Sequence, residues 1–174
     1  MPQMLDSNFS GTLTYICEHN EDGAMGVIIN HPLSIDLHDV LTQFDMPVNG
    51  ASKTVYWGGP VQEERSFTIH TNDAPEPNEW DSTMRITDEI QLTTSKDIIL
   101  AIAEQRGPSQ FLFALGYAGW GEGQLEQELA ENTWLCCPAS PLILFHQDAG
   151  LKRKLAINSL GITEHQLNAQ IGHA

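Results

Sequence analysis

Strands that arrive in hairpin pairs, with helices interspersed between them, predict an α+β fold of mixed, largely antiparallel sheets. The expected core is barrel- or sandwich-like and flanked by helices. Strict βαβ alternation is absent, which argues against a doubly wound parallel sheet. The length of 174 residues, with 41% apolar and 18% charged residues, suits a single domain over residues 1–174 with one sizeable core.

Residues 13–17 alternate as a strand, with Leu13, Tyr15 and Cys17 on one face. Asn20, Glu21, Asp22 and Gly23 make a turn signal, and residues 26–29 form a second, fully apolar strand that completes a hairpin. Asn30-His31-Pro32 ends it. Leu37, Val40, Leu41 and Phe44 recur at helical spacing over residues 36–44, with Ser34 as the cap. Residues 55–57 read as a short strand broken by Gly58-Gly59-Pro60, and residues 66–70 as an alternating strand. Residues 72–78, with Asp73, Pro75, Glu76 and Pro77, read as an exposed loop too short to separate domains. Residues 85–87 and 89–92 form a hairpin turned at Asp88. A helix capped by Thr94 or Ser95 runs to Arg106 on the stripe Ile98, Ile99, Ile102 and Ala103, and Gly107-Pro108 stops it. Residues 110–116 read as a buried strand, 122–131 as a helix, 133–137 as a strand ended by Pro138, and 150–160 as a final helix.

Acidity is the strongest bulk property. Twenty-three acidic residues face 8 basic ones, for a net charge of −15. Nucleic-acid binding draws its affinity from Lys and Arg neutralising phosphates. Lys152, Arg153 and Lys154 are the only basic cluster, so charge disfavours DNA and anionic membranes. No apolar run is long enough for a transmembrane helix, and the N-terminus carries no secretory pattern. Three cysteines, an odd count, fit reduced thiols in the cytoplasm. Cys136 and Cys137 are expected to point to opposite faces of a strand, one of them into the core.

Four reactive or ligating residue types crowd the first hairpin: Cys17, Glu18, His19 and Asp22. Cys17 and His19 lie at i, i+2 on a strand and share a face, which offers a nucleophile and a base for a thiol-dependent hydrolase or transferase. Same-face strand neighbours sit roughly 7 Å apart, however, and no third partner is visible. A buried thiol beside a turn histidine explains the pair better. The seven histidines include no H-x-x-x-H or H-E-x-x-H, and no C-x-x-C occurs, so neither a metal nor a cofactor is expected. Residues 116–123 (GYAGWGEG) follow a strand and open a helix, the placement of a phosphate loop. The spacing is not G-x-G-x-x-G, and Glu122, Glu126 and Glu128 would repel an anion. Close backbone packing, with Tyr117 and Trp120 filling core or pocket, is the better explanation. Surface charge accounts for Glu126, Glu128, Asp36 and Asp39.

Residues 15–32, the WGGPV run at 57–61 and residues 114–128 (ALGYAGWGEGQLEQE) stand together in this order. In order and spacing they closely resemble the YqgE/AlgH family of bacterial proteins. Asp6, Phe9 and the final Gly172-His173-Ala174 also match. The resemblance covers nearly the whole chain. It implies a bacterial cytosolic α+β protein with a complex mixed-sheet core. One branch of the family is named for transcriptional regulation linked to alginate production, and most members have no assigned biochemical activity, so no catalytic residues carry over. Family members usually have one further apolar strand ahead of the position of Met1, so this chain is expected to begin one strand late.

These observations lead to a non-enzymatic regulatory or binding protein with a small-molecule or protein partner. The expected site is a pocket among the hairpin turn and the two glycine-rich motifs: Cys17, His19, Gly23, Asn30, Trp57, Gly58, Gly59, Tyr117, Gly119 and Trp120. Direct regulation on DNA and thiol catalysis by Cys17 and His19 are the alternatives.

Overall fold

The computed structural model describes residues 9–50, 52–74 and 80–163. Asp6, Gly172–Ala174 and residues 75–79 of the expected loop lie outside them. Eight strands form one sheet, and the eleven-residue strand β8 (Phe111–Gly121) organises it. Strand β5 (Val61–Thr71) runs antiparallel along one edge of β8. On the opposite edge β4 (Thr54–Trp57) pairs parallel at residues 113–115, and β2 (Gly23–Ile28) pairs antiparallel at residues 118–121. Strand β1 (Thr14–Asn20) extends the sheet beyond β2 as a hairpin. Strand β3 (Pro32–Asp36) pairs with β4, and β7 (Ile90–Thr93) and β6 (Thr83–Arg85) follow β5. All pairings but β4–β8 are antiparallel, as the hairpin-rich sequence predicts.

Period-two alternation along β8 feeds two cores. Leu112 and Ala114 join Val27, Ile29, Tyr56, Phe67 and Ile69 on one face. Phe113, one residue out of step, points to the other face with Val55. Two helices cover that second face: α1 (Leu37–Gln43) through Val40 and Leu41, and α2 (Lys96–Ala103) through Ile98 and Ile99. The first face is covered by α4 (Pro141–Leu144) and Phe145. Helix α5 (Ala149–Ser159) packs beside α4. A third, smaller cluster joins Ala24, Ala118 and Trp120 to Leu125 of α3 (Gln124–Ala130).

Several boundaries differ from expectation for local reasons. Asp36, not Ser34, caps α1: its carboxylate accepts from the Asp39 backbone N–H while Asp39 accepts from the Asp36 N–H, a reciprocal capping box. The residues ahead of it are strand β3, which goes unread in the sequence because Pro32 and the exposed alternation disguise it. Helix α2 ends at Ala103, not Arg106. Gln105 takes a left-handed φ of 60°, and the Arg106 N–H bonds back to the Ala101 carbonyl. Strand β8 continues through the glycine-rich run to Gly121, so that run is strand rather than loop. Residues 133–137 form no strand, and the short helix α4 follows them.

Candidate ligand-binding site

The glycine motifs and the hairpin turn meet, but they meet backbone to backbone. Gly59 has a φ of 146°, and a Cβ there would fall inside the Tyr117 carbonyl. Gly116, with a φ of 75°, faces the Gly59 carbonyl in return. The Gly58 N–H donates to the Leu115 carbonyl at 2.7 Å, and the Gly58 carbonyl accepts from the Ile28 N–H at 2.8 Å. Gly23 lies against the Trp120 carbonyl in the same manner. The glycines let β4, β2 and β8 approach within backbone contact, where a side chain would block them. The rest of the expected pocket serves this scaffold. Trp57 donates its indole N–H to Glu63 at 2.6 Å and meets the His31 ring edge-on. Asn30 accepts from the Leu13 N–H at 2.7 Å and donates to the Gly11 carbonyl, fixing the entry to β1. Tyr117 packs on Phe67, and its ring lies against Gly119.

The thiol–imidazole pair separates. The β1–β2 register shifts between Ile16 and Glu18, a bulge that breaks strand alternation. Cys17 turns into the core, while His19 stays exposed. Burial pushes the Cys17 thiol up to about 12, and its Sγ–H donates to the Tyr15 carbonyl. Such a thiol packs as a core residue and keeps its proton at neutral pH. His19 Nε2 instead meets Glu126 at 2.6 Å, linking β1 to α3.

Among the described residues, a sizeable concavity lies elsewhere. A cavity of about 260 Å³ opens between β1 and the helices of the C-terminal third. Residues 12–16 and Ile29 floor it, and Leu125 and Leu129 of α3 wall one side. Ile143 and Leu144 of α4, with Ala156, Ile157 and Leu160 of α5 and its flank, wall the other. Trp120, Trp134 and residues 135–140 close the rim. Of the ten expected residues, Trp120 alone lines it.

A carboxylate clasp holds this rim in place. Glu128 Oε2 accepts both indole N–H groups, from Trp120 at 2.9 Å and Trp134 at 2.6 Å, while Oε1 accepts from Gln124 at 2.9 Å. The two indoles stack edge to face at 5.7 Å. Buried indole N–H groups need acceptors, so Glu128 is no idle surface charge, and residues 133–137 are pinned through Trp134 rather than by a strand ladder. Two tryptophans flanking a glutamate-rich helix were the available sequence signal. Cys136 is exposed and Cys137 half-buried, and neither enters a core cluster, contrary to the expectation for a strand.

Beneath the same helices lies Lys152 of α5, 1% exposed. Its Nζ donates to the Ile29 carbonyl at 2.8 Å and sits 4.3 Å from the centre of the Tyr56 ring. Burial lowers its pKa to about 7. Among the described residues, no group of three or more His, Cys, Asp and Glu side chains could hold a metal, and no helix is long and apolar enough to cross a membrane.

A family profile described as AlgH-like matches residues 1–165. The chain belongs to the AlgH-like family. The resemblance read from the hairpin and the two glycine motifs is thereby shown. This AlgH-like chain is 47% identical over 174 residues to a UPF0301 protein of Hahella chejuensis, covering 100% of the chain and 92% of the relative. A UPF0301 protein of Nitrosococcus oceani is 46% identical, with the same coverage. The fold matches the solution structure of the AlgH protein from Pseudomonas aeruginosa with a TM-score of 0.77 at 43% identity, covering 100% of this chain and 92% of that one. A crystal structure of a Corynebacterium diphtheriae protein shares the fold, with a TM-score of 0.68 at 19% identity over 90% of this chain and 81% of that one.

Proposed function

We propose that this AlgH-like protein is a non-enzymatic, cytoplasmic ligand-binding protein whose site is the cavity between β1 and helices α3–α5. The cavity carries the reading. Leucine, isoleucine, alanine and two tryptophans make up most of its lining, beside Thr12, Thr14, Ser140 and the rim cysteines, and such lining selects a small apolar or amphipathic molecule by burial of carbon surface. An aliphatic ligand with a small polar head therefore suits the site better than a sugar or a nucleotide, which would strand polar groups against the apolar wall. A regulatory role would follow from ligand occupancy, since α4 and α5 form both the cavity wall and the cover of one face of the sheet.

Catalysis finds no support at the hairpin, where the thiol is buried and the imidazole is engaged with Glu126. Direct action on DNA is opposed by the net charge of −15. Thermal-shift titration with medium-chain monocarboxylates, against glucose and AMP as polar controls, tests the reading. The carboxylates should raise the melting temperature saturably and the controls should not. A shift confined to the polar compounds, or none at all, would refute it.

A further inference from the structure

The cavity rim carries two adjacent thiols that the ligand reading leaves unused. We propose that Cys136 and Cys137 form a two-thiol clamp that captures a soft, thiophilic centre carried on a small apolar body. The clamp rests on the cavity reading for the apolar body, and on the cysteine pair alone for the bond-forming step.

Covalent geometry keeps the two thiols on neighbouring residues, whose Cα atoms are about 3.8 Å apart across a trans peptide. Both cysteines are free and both line the cavity. They are the accessible thiols of this protein, because Cys17 is buried in the sheet core. Residues 133–140 carry neither helix nor strand, so no backbone ladder holds the two side chains apart. Leu135, 49% exposed, and Ile16, 37% exposed, supply apolar surface at the same mouth. Thiol sulfurs select soft centres over hard ones, and paired thiols hold such a centre through two bonds.

Phenylarsine oxide is the matching probe. Each thiol sulfur forms one bond to arsenic, the arsenic–oxygen bond breaks, and the oxide leaves as water with both thiol protons. Arsenic stays trivalent, so no oxidant or reductant is required. The phenyl ring is left facing the cavity.

Mass spectrometry of the reduced full chain should show one phenylarsine oxide less one water, removed by a dithiol but not by an equal concentration of a monothiol. Cys136→Ser and Cys137→Ser should each lose the dithiol-specific adduct, while Cys17→Ser should keep it. Inorganic arsenite forms the same two sulfur bonds without the ring and should bind at least about tenfold more weakly. An adduct that survives in either rim variant, or fails to form in the wild type, would overturn the clamp. Equal affinity for arsenite and phenylarsine oxide would overturn the apolar half of the proposal. Binding of the fluorescent apolar probe N-phenyl-1-naphthylamine to the Cys136→Ser variant reads the cavity separately, so failure of the clamp is distinguishable from failure of the cavity.

Discussion

The β4–β5 turn against β8 and the cavity under α3–α5 are built on opposite principles. At the first, Gly58, Gly59 and Gly116 bring three strands into backbone contact and leave no room for a ligand. At the second, ordinary leucines and isoleucines enclose about 260 Å³, held open by a glutamate between two indoles. The dense motif marks the rigid crossing, and the space lies where the sequence is plain. Glycine clusters record where backbones must touch, whereas a cavity arises from how whole helices seat, which leaves no local signature.

The sharpest way to break this contrast is Gly59→Ala. Its left-handed φ of 146° and the facing Tyr117 carbonyl combine strain with a backbone clash. A loss of at least about 3 kcal/mol, or failure to fold, is expected by chemical denaturation. A near-native midpoint would mean the crossing is looser than described.

Glu128→Ala leaves the Trp120 and Trp134 indoles without their acceptor and should cost about 1–3 kcal/mol. Unlike the glycine change, it should yield a folded protein that binds an apolar probe poorly. Full binding by this variant would show that the clasp does not shape the rim.

Lys152 gives a pH signature to the helix that walls the cavity. Its folded-state value of about 7 lies below the ordinary 10.5. Between those values the unfolded chain holds a proton that the folded chain lacks, so stability rises with pH. Above about 9 the raised Cys17 thiol acts in the opposite sense, because the unfolded thiol ionises first. The clean window is therefore pH 7 to 9, where the lysine contributes up to about 1.4 kcal/mol per pH unit. Lys152→Met should flatten that rise in urea-denaturation series, and an unchanged slope would contradict the buried, uncharged amine.

His19→Ala should do least. The His19–Glu126 pair is solvent-exposed, and such pairs contribute little. A denaturation midpoint indistinguishable from wild type is expected, together with unchanged alkylation of Cys17. Faster alkylation of Cys17 in the wild type than in this variant would restore the thiol–imidazole reading.

Much of the fold was legible because hydrophobic period tracks backbone pairing. The β1–β2 and β6–β7 hairpins, α2 and α5 all follow from spacing and turn residues. What escaped depends on distant partners. The bulge after Ile16 separates Cys17 from His19, and nothing within the hairpin sequence announces it. Gly116 through Gly121 look like a loop until β2 pairs with residues 118–121. Thr133 through Cys137 look like a strand until Trp134 is tied to Glu128. Of the site, Trp120 was legible as an aromatic beside a glycine run. The apolar residues of α3, α4 and α5 were not, because core and cavity walls share one composition.

The most direct measurement is tryptophan quenching by N-phenyl-1-naphthylamine, since Trp120 and Trp134 stand at the cavity rim. Saturable one-to-one quenching is expected, and Ala156→Trp, which fills the cavity from α5, should abolish it while the fold persists. Quenching that fails to saturate, or that survives in the filled variant, would contradict the cavity as the site.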